Sequence, residues 1–327
     1  MASMKLQAVT LVVTVATALC AAHEAHAAVG RTVGLASVAA DGTSGYSIPI
    51  FAPPGTRGMT PSLSLTYGSG VGSGWIGEGW TIGGLSSIAR CAQTVAQDGA
   101  ARGVRLDAND RFCLDGNRLR LASGTYGAAG STYRTEIETF ARVSASGSAG
   151  AGPATFTVEQ RDGLIYDYGT TVDSQVEALG SGTIRVWALS RIRDRTGNAI
   201  SFAYIEDATN GAYRLANVQY TSNSGQGLAA AYRIEFYYET QPVGELDSRY
   251  FGGKLVKDVV RLTRVDVTYS GAIVRRYNIA YESSLSSAGN SRVQSIQECA
   301  GSTGGDCLGA TTFTYQNGGA GVGAEIS

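Results

Sequence analysis

The 327-residue chain carries 26 basic and 27 acidic side chains, a net charge of −1, with only 16% of its residues charged and the two signs interspersed. That balance offers no basic face of the size phosphate neutralisation needs, which argues against nucleic acid as a partner. With 43% apolar residues the chain is too hydrophobic for a disordered polymer, and its 44 glycines lack the every-third-residue repeat of collagen.

The chain opens with the pattern of an export signal. Lys5 supplies a positive start, and residues 6–19 form a mostly apolar run too short to cross a bilayer as a helix. Ala25-His26-Ala27 fits the small-x-small cleavage pattern, so residues 1–27 read as a signal peptide and 28–327 as an exported β domain. Cys20 would suit a lipid anchor, but Leu19 before it is bulky where a lipobox wants a small residue. No later run of about 18 apolar residues exists, so no stable membrane span is expected and the product is periplasmic or extracellular.

Cleavage has a chemical consequence. The two histidines, His23 and His26, leave with the signal, and the loss of Lys5 and Glu24 keeps the net charge at −1. A mature chain without imidazole cannot build a Ser-His-Asp or Cys-His site, nor a zinc site that uses histidine. No cofactor or metal is implied.

Beyond the leader, glycine is dense between 68 and 84, around Trp75, Ile76, Trp80 and Ile82. Gly77 and Gly79 permit positive φ and close backbone approach, while Trp75 and Trp80 anchor the segment by burying large area. No Lys follows the glycines and no helix pattern succeeds them, so a structural turn between strands is expected rather than a phosphate loop.

Strand patterns then recur along the chain. Phe112-Cys113-Leu114 and Leu119-Arg120-Leu121 flank Asp115-Gly116, a hairpin-turn dipeptide. Phe156 and Val158 alternate with polar residues before Asp162-Gly163 turns into Leu164-Ile165-Tyr166-Asp167-Tyr168. Ile184, Val186 and Ala188 lead to a turn at Arg195-Thr196-Gly197-Asn198 and then Ile200, Phe202 and Tyr204. Further strands are expected at 232–238, 259–269, 273–281 and 312–315. Residues 144–153, 221–227 and 283–290 read as loops on one body, and 317–327 as a poorly ordered tail. The class is all-β: many short antiparallel strands in sandwich or shell-like sheets, with helix scarce.

Four cysteines remain after cleavage: Cys91, Cys113, Cys299 and Cys307. An even number in an exported chain reads as two disulfides. Of the three pairings, Cys91–Cys113 with Cys299–Cys307 is favoured because each is local. A site made of four thiolates would lack the C-x2-4-C spacing of structural zinc.

Several stretches resemble the N-terminal region of the SpvB/TcdB family, which covers the plasmid virulence protein SpvB, insecticidal toxin complex B components and the front of many Rhs/YD-repeat proteins. The likeness runs from about residue 30 to 315. It is carried by Gly45-Tyr46-Ser47-Ile48-Pro49-Ile50 with Pro53-Pro54-Gly55, and by Gly58-Met59-Thr60-Pro61-Ser62-Leu63-Ser64-Leu65-Thr66-Tyr67. Gly77-Glu78-Gly79-Trp80, Ile82-Gly83-Gly84, Ile88-Ala89-Arg90-Cys91, Asp110-Arg111-Phe112-Cys113-Leu114-Asp115-Gly116 and Phe313-Thr314-Tyr315 continue it. The resemblance implies the β-rich opening of a hollow toxin shell, to be followed by a propeller and YD repeats that enclose a toxic polypeptide. The chain stops before those parts, and residues 187–204 are only loosely YD-like. The implied partners are downstream propeller and YD-repeat shell domains, or a toxin-complex protein.

Four readings compete with a passive wall. The ADP-ribosyltransferase carried by SpvB elsewhere uses Glu-x-Glu, which Glu136-Ile137-Glu138 matches by spacing alone, without the Ser-Thr-Ser that should precede it. Glu159, Asp162, Asp167, Glu235 and Glu239 supply carboxylates for glycoside hydrolysis, but alternation along strands places such acids in solvent. Asp107, Asn109 and Asp110 lack EF-hand spacing for calcium. A tyrosine-rich sheet face also suits an adhesin or carbohydrate-binding sandwich, though cross-strand aromatics stabilise sheets by themselves. The reading taken forward is a structural, non-catalytic module.

Overall fold

The computed structural model describes residues 30–245, 247–301 and 306–317. The leader expected at 1–27 and the tail after 317 lie outside the described residues. About 51% of the described residues are strand and 5% helix, which makes the fold all-β. Among the described residues the one α-helix is a single turn, Val95–Asp98, ended by Gly99 in the left-handed conformation.

Eight strands hydrogen-bond in a closed antiparallel barrel. In ring order these are Ser87–Cys91, Arg111–Leu114, Asn117–Ser123, Thr132–Thr135, Arg142–Ser146, Thr155–Glu159, Ile165–Tyr168 and Ile184–Arg193. The Asp115-Gly116 turn shows why neighbours pair so tightly. Both residues have positive φ (48° and 82°), which matches the right-handed twist of the flanking strands and brings Leu114 opposite Asn117. Period-2 alternation sends Ile88, Phe112, Leu119, Tyr133, Val143, Phe156 and Trp187 into the interior.

Barrel closure is a detail that the expectation of sandwich or shell-like sheets does not specify. It depends on Ile184–Arg193, which changes partners midway. Trp187 lies opposite Ile88, which closes the ring, while Ile192 lies opposite both Tyr166 and Ile200. The Ile88–Trp187 pairing joins residues about a hundred positions apart, and no local pattern encodes it.

From Ile200 onward a meander of long strands unrolls: Asn198–Asp207, Ala212–Asn223, Tyr232–Thr240, Val260–Tyr269, Ala272–Tyr281 and Val293–Ala300. Ile234, Phe236, Leu262, Val265, Val267, Tyr277 and Ile279 are buried on one face. The opposite face is polar, and there Asp266 lies beneath Arg276, whose Nε donates to it at 2.8 Å. An N-terminal sheet of Leu35–Val38, Ser44–Pro49, Ser64–Gly68 and Trp80–Gly83 contributes Ile48, Leu65, Trp80 and Ile82 to the same core.

Three segments differ from the sequence reading. Ala212–Asn223 is a twelve-residue strand that absorbs the first part of the loop expected at 221–227. Arg142–Ser146 likewise takes residues 144–146 out of the expected loop at 144–153. Strand 312–315 shrinks to Thr311–Thr312, because Phe313 and Tyr315 turn to pack against Tyr46 and Trp80 rather than extend a ladder.

Candidate functional site

The glycine–tryptophan segment forms a junction that locks the N-terminal sheet to the meander. Between the paired strands Ser64–Gly68 and Trp80–Gly83 the chain loops outward, and Trp75 meets Tyr213 edge-on at 5.6 Å. The Trp75 carbonyl accepts the Leu262 N–H at 2.7 Å, and the Glu78 N–H donates to the Ser291 carbonyl at 2.8 Å. Gly77 has φ +87°, and a Cβ there would fall 2.4 Å from the Ser291 oxygen, so this close approach requires glycine. Gly79 has the same constraint against the Tyr67 ring.

Trp80 completes the lock. It is 1% exposed, packs edge-on against Phe313 at 4.9 Å, and donates from its indole nitrogen to the Tyr315 hydroxyl at 3.0 Å. Tyr315 in turn donates to the Val293 carbonyl at 3.0 Å. A side chain of this size contributes about 1.5–3 kcal/mol by burial, and the indole hydrogen bond removes the penalty of a buried donor.

Inside the barrel the centre is an arginine. Arg90 is 2% exposed; its guanidinium donates to the Ile184, Asp107 and Ala151 carbonyls at 2.6, 3.0 and 3.2 Å, and to Asp110 at 3.3 Å. It lies 5.7 Å from the Phe112 ring centre and 5.6 Å from that of Trp187. Burial lowers its pKa and the charge of Asp110 opposes that shift, as expected for a cation held by a partner inside a core. The sequence motif contained Arg90 but gave it no role. Its only signal was a cation in an otherwise inward-facing strand position.

Asp115 does more than turn the chain. Its carboxylate accepts from the Ser86 hydroxyl at 2.7 Å and the Ser87 N–H at 2.8 Å, and Ser86 also bonds the buried Tyr168 hydroxyl at 2.8 Å. Gly116 faces open space, so its positive φ alone requires glycine. Cys91 is bonded to Cys113 across adjacent barrel strands, and Cys299 to Cys307, directly opposite in register. Closing loops of 22 and 8 residues stabilises the fold by roughly 2–4 kcal/mol each in the chain-entropy account.

The candidate acids are dispersed. Glu136-Ile137-Glu138 occupies an exposed bend after Thr132–Thr135 rather than the solvated strand that its alternation suggested, with Glu138 capping the Phe140 N–H at 2.6 Å. Glu159 pairs with Arg142 at 2.7 Å, and Glu239 with Arg261 at 2.8 Å. Glu235 pairs with Arg233 at 3.3 Å, and Asp162 caps the Leu164 N–H at 2.8 Å. Asp167 is buried between Arg191 and Arg193 at 2.8 and 3.0 Å. Asp110 serves Arg90, and Asp107 binds Arg102 and the Asn109 N–H. Among the described residues no cluster of three or more Asp, Glu, Cys or His is arranged to hold a metal. The tyrosines are largely interior: Tyr204, Tyr238 and Tyr281 each donate to a backbone carbonyl of the core strands.

One carboxyl is held out of balance. Burial, with Asp258 beside it, holds the Asp247 carboxyl above its ordinary value of 3.8, and Arg249 only partly opposes this. The folded chain therefore holds this proton more tightly than the unfolded chain. That contribution is complete below the unfolded value and is lost as pH rises through the folded one. Asp247→Asn is expected to raise the melting temperature at pH 7, with the gain vanishing below about pH 4. Thermal scans at both pH values check it, and a destabilised variant at pH 7 would show that the Arg249 pairing outweighs burial.

The fold defines the class: an all-β module in which a barrel runs on through Ile184–Arg193 into a meander, and a glycine–tryptophan lock ties an N-terminal sheet to that meander. Residues 38–240 match the family described as SpvB, Salmonella virulence plasmid 65kDa B protein, and the chain belongs to that family. A search of curated proteins by sequence finds no match. Among solved structures, the crystal structure of TcdB2-TccC3 is similar with a TM-score of 0.68 and 18% identity, over 86% of this chain and 16% of that one. The Photorhabdus luminescens Tc holotoxin pore gives a TM-score of 0.66 at 18% identity, over 86% and 16%. The N-terminal domain of effector protein SpvB from Salmonella typhimurium strain LT2 gives 0.59 at 18% identity, over 77% of this chain and 99% of that domain. The chain thus spans about a sixth of the toxin-complex chains it resembles. No helix of the described residues is long and apolar enough to cross a membrane.

Proposed function

We propose that this chain is a non-catalytic wall module of an exported toxin shell, directed outward by residues 1–27 and built to dock on downstream propeller and YD-repeat domains or on a toxin-complex partner protein. The observation that carries the reading is the disposition of its strongly polar side chains. Arg90, Asp98, Asp110, Asp115, Asp167 and Asp266 are buried or tied into ion pairs and turn caps that brace strands. A wall needs that rigidity, whereas catalysis needs a group free to exchange a proton in reach of a substrate. Family membership and the fold shared with TcdB2-TccC3 support the same reading.

The test is to express the chain with a propeller and YD-repeat polypeptide of the toxin-complex type and to isolate the product by size exclusion. A stable complex is expected, with no glycoside-hydrolase or NAD-consuming turnover above the blank. Turnover by the purified chain that disappears in Glu159→Gln or Glu138→Gln would overturn the proposal, as would failure to co-elute.

A further inference from the structure

On the outer wall of the barrel the strand Asn117–Ser123 sends Leu119 inward and Arg118 and Arg120 outward. Beside it a groove of about 270 Å³ is lined by Asp98, Arg111, Arg118, Arg120 and Tyr126. Arg111 lies over the Tyr126 ring at 4.8 Å and donates to Asp98 at 2.7 Å, and Arg118 shares the same carboxylate. One acid thus serves two guanidinium groups.

Arg120 has no such acid. No hydrogen bond or ion pair holds it among the described residues, and the residue directly opposite in register is Arg134, which also has none. Like charges directly opposite one another in a sheet destabilise it. On the next two strands of the barrel the charge is matched: Arg142 lies opposite Glu159 and pairs with it at 2.7 Å. Gln97, which also lines the groove, donates to Glu136. Three arginines therefore line the groove with one carboxylate, Asp98, and Arg134 opposite Arg120 adds a further cation, so the surplus of positive charge is concentrated at that cross-strand pair.

We propose that this groove is a recognition site for carboxylates, and that its occupant is an acidic segment of a protein partner, with its Asp or Glu side chains bridging Arg120 and Arg134. Guanidinium groups pair with carboxylates through two parallel hydrogen bonds, so a short acidic strand supplies what the surface lacks. Apolar Leu121 and Ile137 stand exposed nearby, at 42% and 76%, and suit a peptide better than a simple ion. Nucleic acid fits less well, because two surplus cations fall short of the about 6–10 phosphate contacts of a nucleic-acid footprint. The inference does not depend on the shell reading, since it concerns the charge of the barrel wall alone.

The purified chain is titrated with a fluorescein-labelled hexaglutamate peptide at low salt and followed by anisotropy, with inorganic phosphate and a single-stranded oligonucleotide as parallel probes. Saturable peptide binding that weakens with added salt is expected. Arg120→Gln and Arg134→Gln should each weaken it by about tenfold, the loss of one charge-assisted contact. Arg195→Gln, on a distant exposed turn, should leave it unchanged. Arg134→Glu should abolish peptide binding while raising the melting temperature, because it turns a repulsive cross-strand pair into an attractive one. Absence of saturable binding, unchanged affinity in Arg120→Gln, or Arg120-dependent binding that favours phosphate or the oligonucleotide over the peptide would each overturn the proposal.

Discussion

Arg90→Met is expected to destabilise the fold by about 3–5 kcal/mol, the range for removing one partner from a buried ion pair. The guanidinium donates to the Ile184, Asp107 and Ala151 carbonyls, so its loss removes three hydrogen bonds inside the barrel and leaves Asp110 without its cation. Arg90→Lys should recover little, because a single ammonium cannot reproduce a planar fork that reaches four acceptors. Asp110→Asn should cost less. Its oxygens also accept from the Arg105 and Asp107 N–H groups at 2.9 and 3.2 Å, and an amide oxygen keeps part of that cap. Urea unfolding followed by tryptophan fluorescence reads the ranking, with Trp187 beside Arg90 as reporter. A methionine variant within about 1 kcal/mol of the parent would mean that the barrel interior rearranges around the lost charge.

Gly77→Ala and Gly116→Ala separate two reasons for glycine. Both positions have strongly positive φ, +87° and +82°, which costs an L-residue about 1–2 kcal/mol. At Gly116 a Cβ meets nothing within 4 Å, so that cost is the whole effect. At Gly77 it meets the Ser291 oxygen at 2.4 Å, so alanine must also push the loop off the meander and break the Glu78–Ser291 hydrogen bond. Gly77→Ala should therefore be worse than Gly116→Ala by about 1–3 kcal/mol, with Trp80→Ala near the about 3–5 kcal/mol typical of a buried tryptophan. Equal destabilisation at the two glycines in denaturant titrations would show that the Ser291 carbonyl yields freely and that the junction is not a lock.

Much of this architecture was legible locally. The alternation at 112–121, 156–168 and 184–204 marks strands because a half-buried strand must present every second side chain to the core. Asp115-Gly116 specifies its hairpin because few residue pairs tolerate two consecutive positive φ angles. The strand Ala212–Asn223 escaped notice because Arg214, Asn217 and Gln219 interrupt its apolar positions, and partners on both sides stabilise it in place of periodicity. The site residues show the same division. Trp75, Gly77, Gly79 and Trp80 stood out by composition, but Tyr213, Ser291 and Tyr315, which receive them, carry no local mark.

The amino-acid order on its own determined the all-β class, the main hairpins and the scarcity of helix, because these follow from backbone freedom and side-chain alternation over a few residues. Barrel closure, the burial of Arg90 and the uncompensated Arg120–Arg134 pair were decided only in three dimensions. Each depends on strands or side chains brought together by the fold, such as Ile88 beside Trp187 and Arg120 beside Arg134. A charge in a sequence has no defined partner until the sheet register places one beside it.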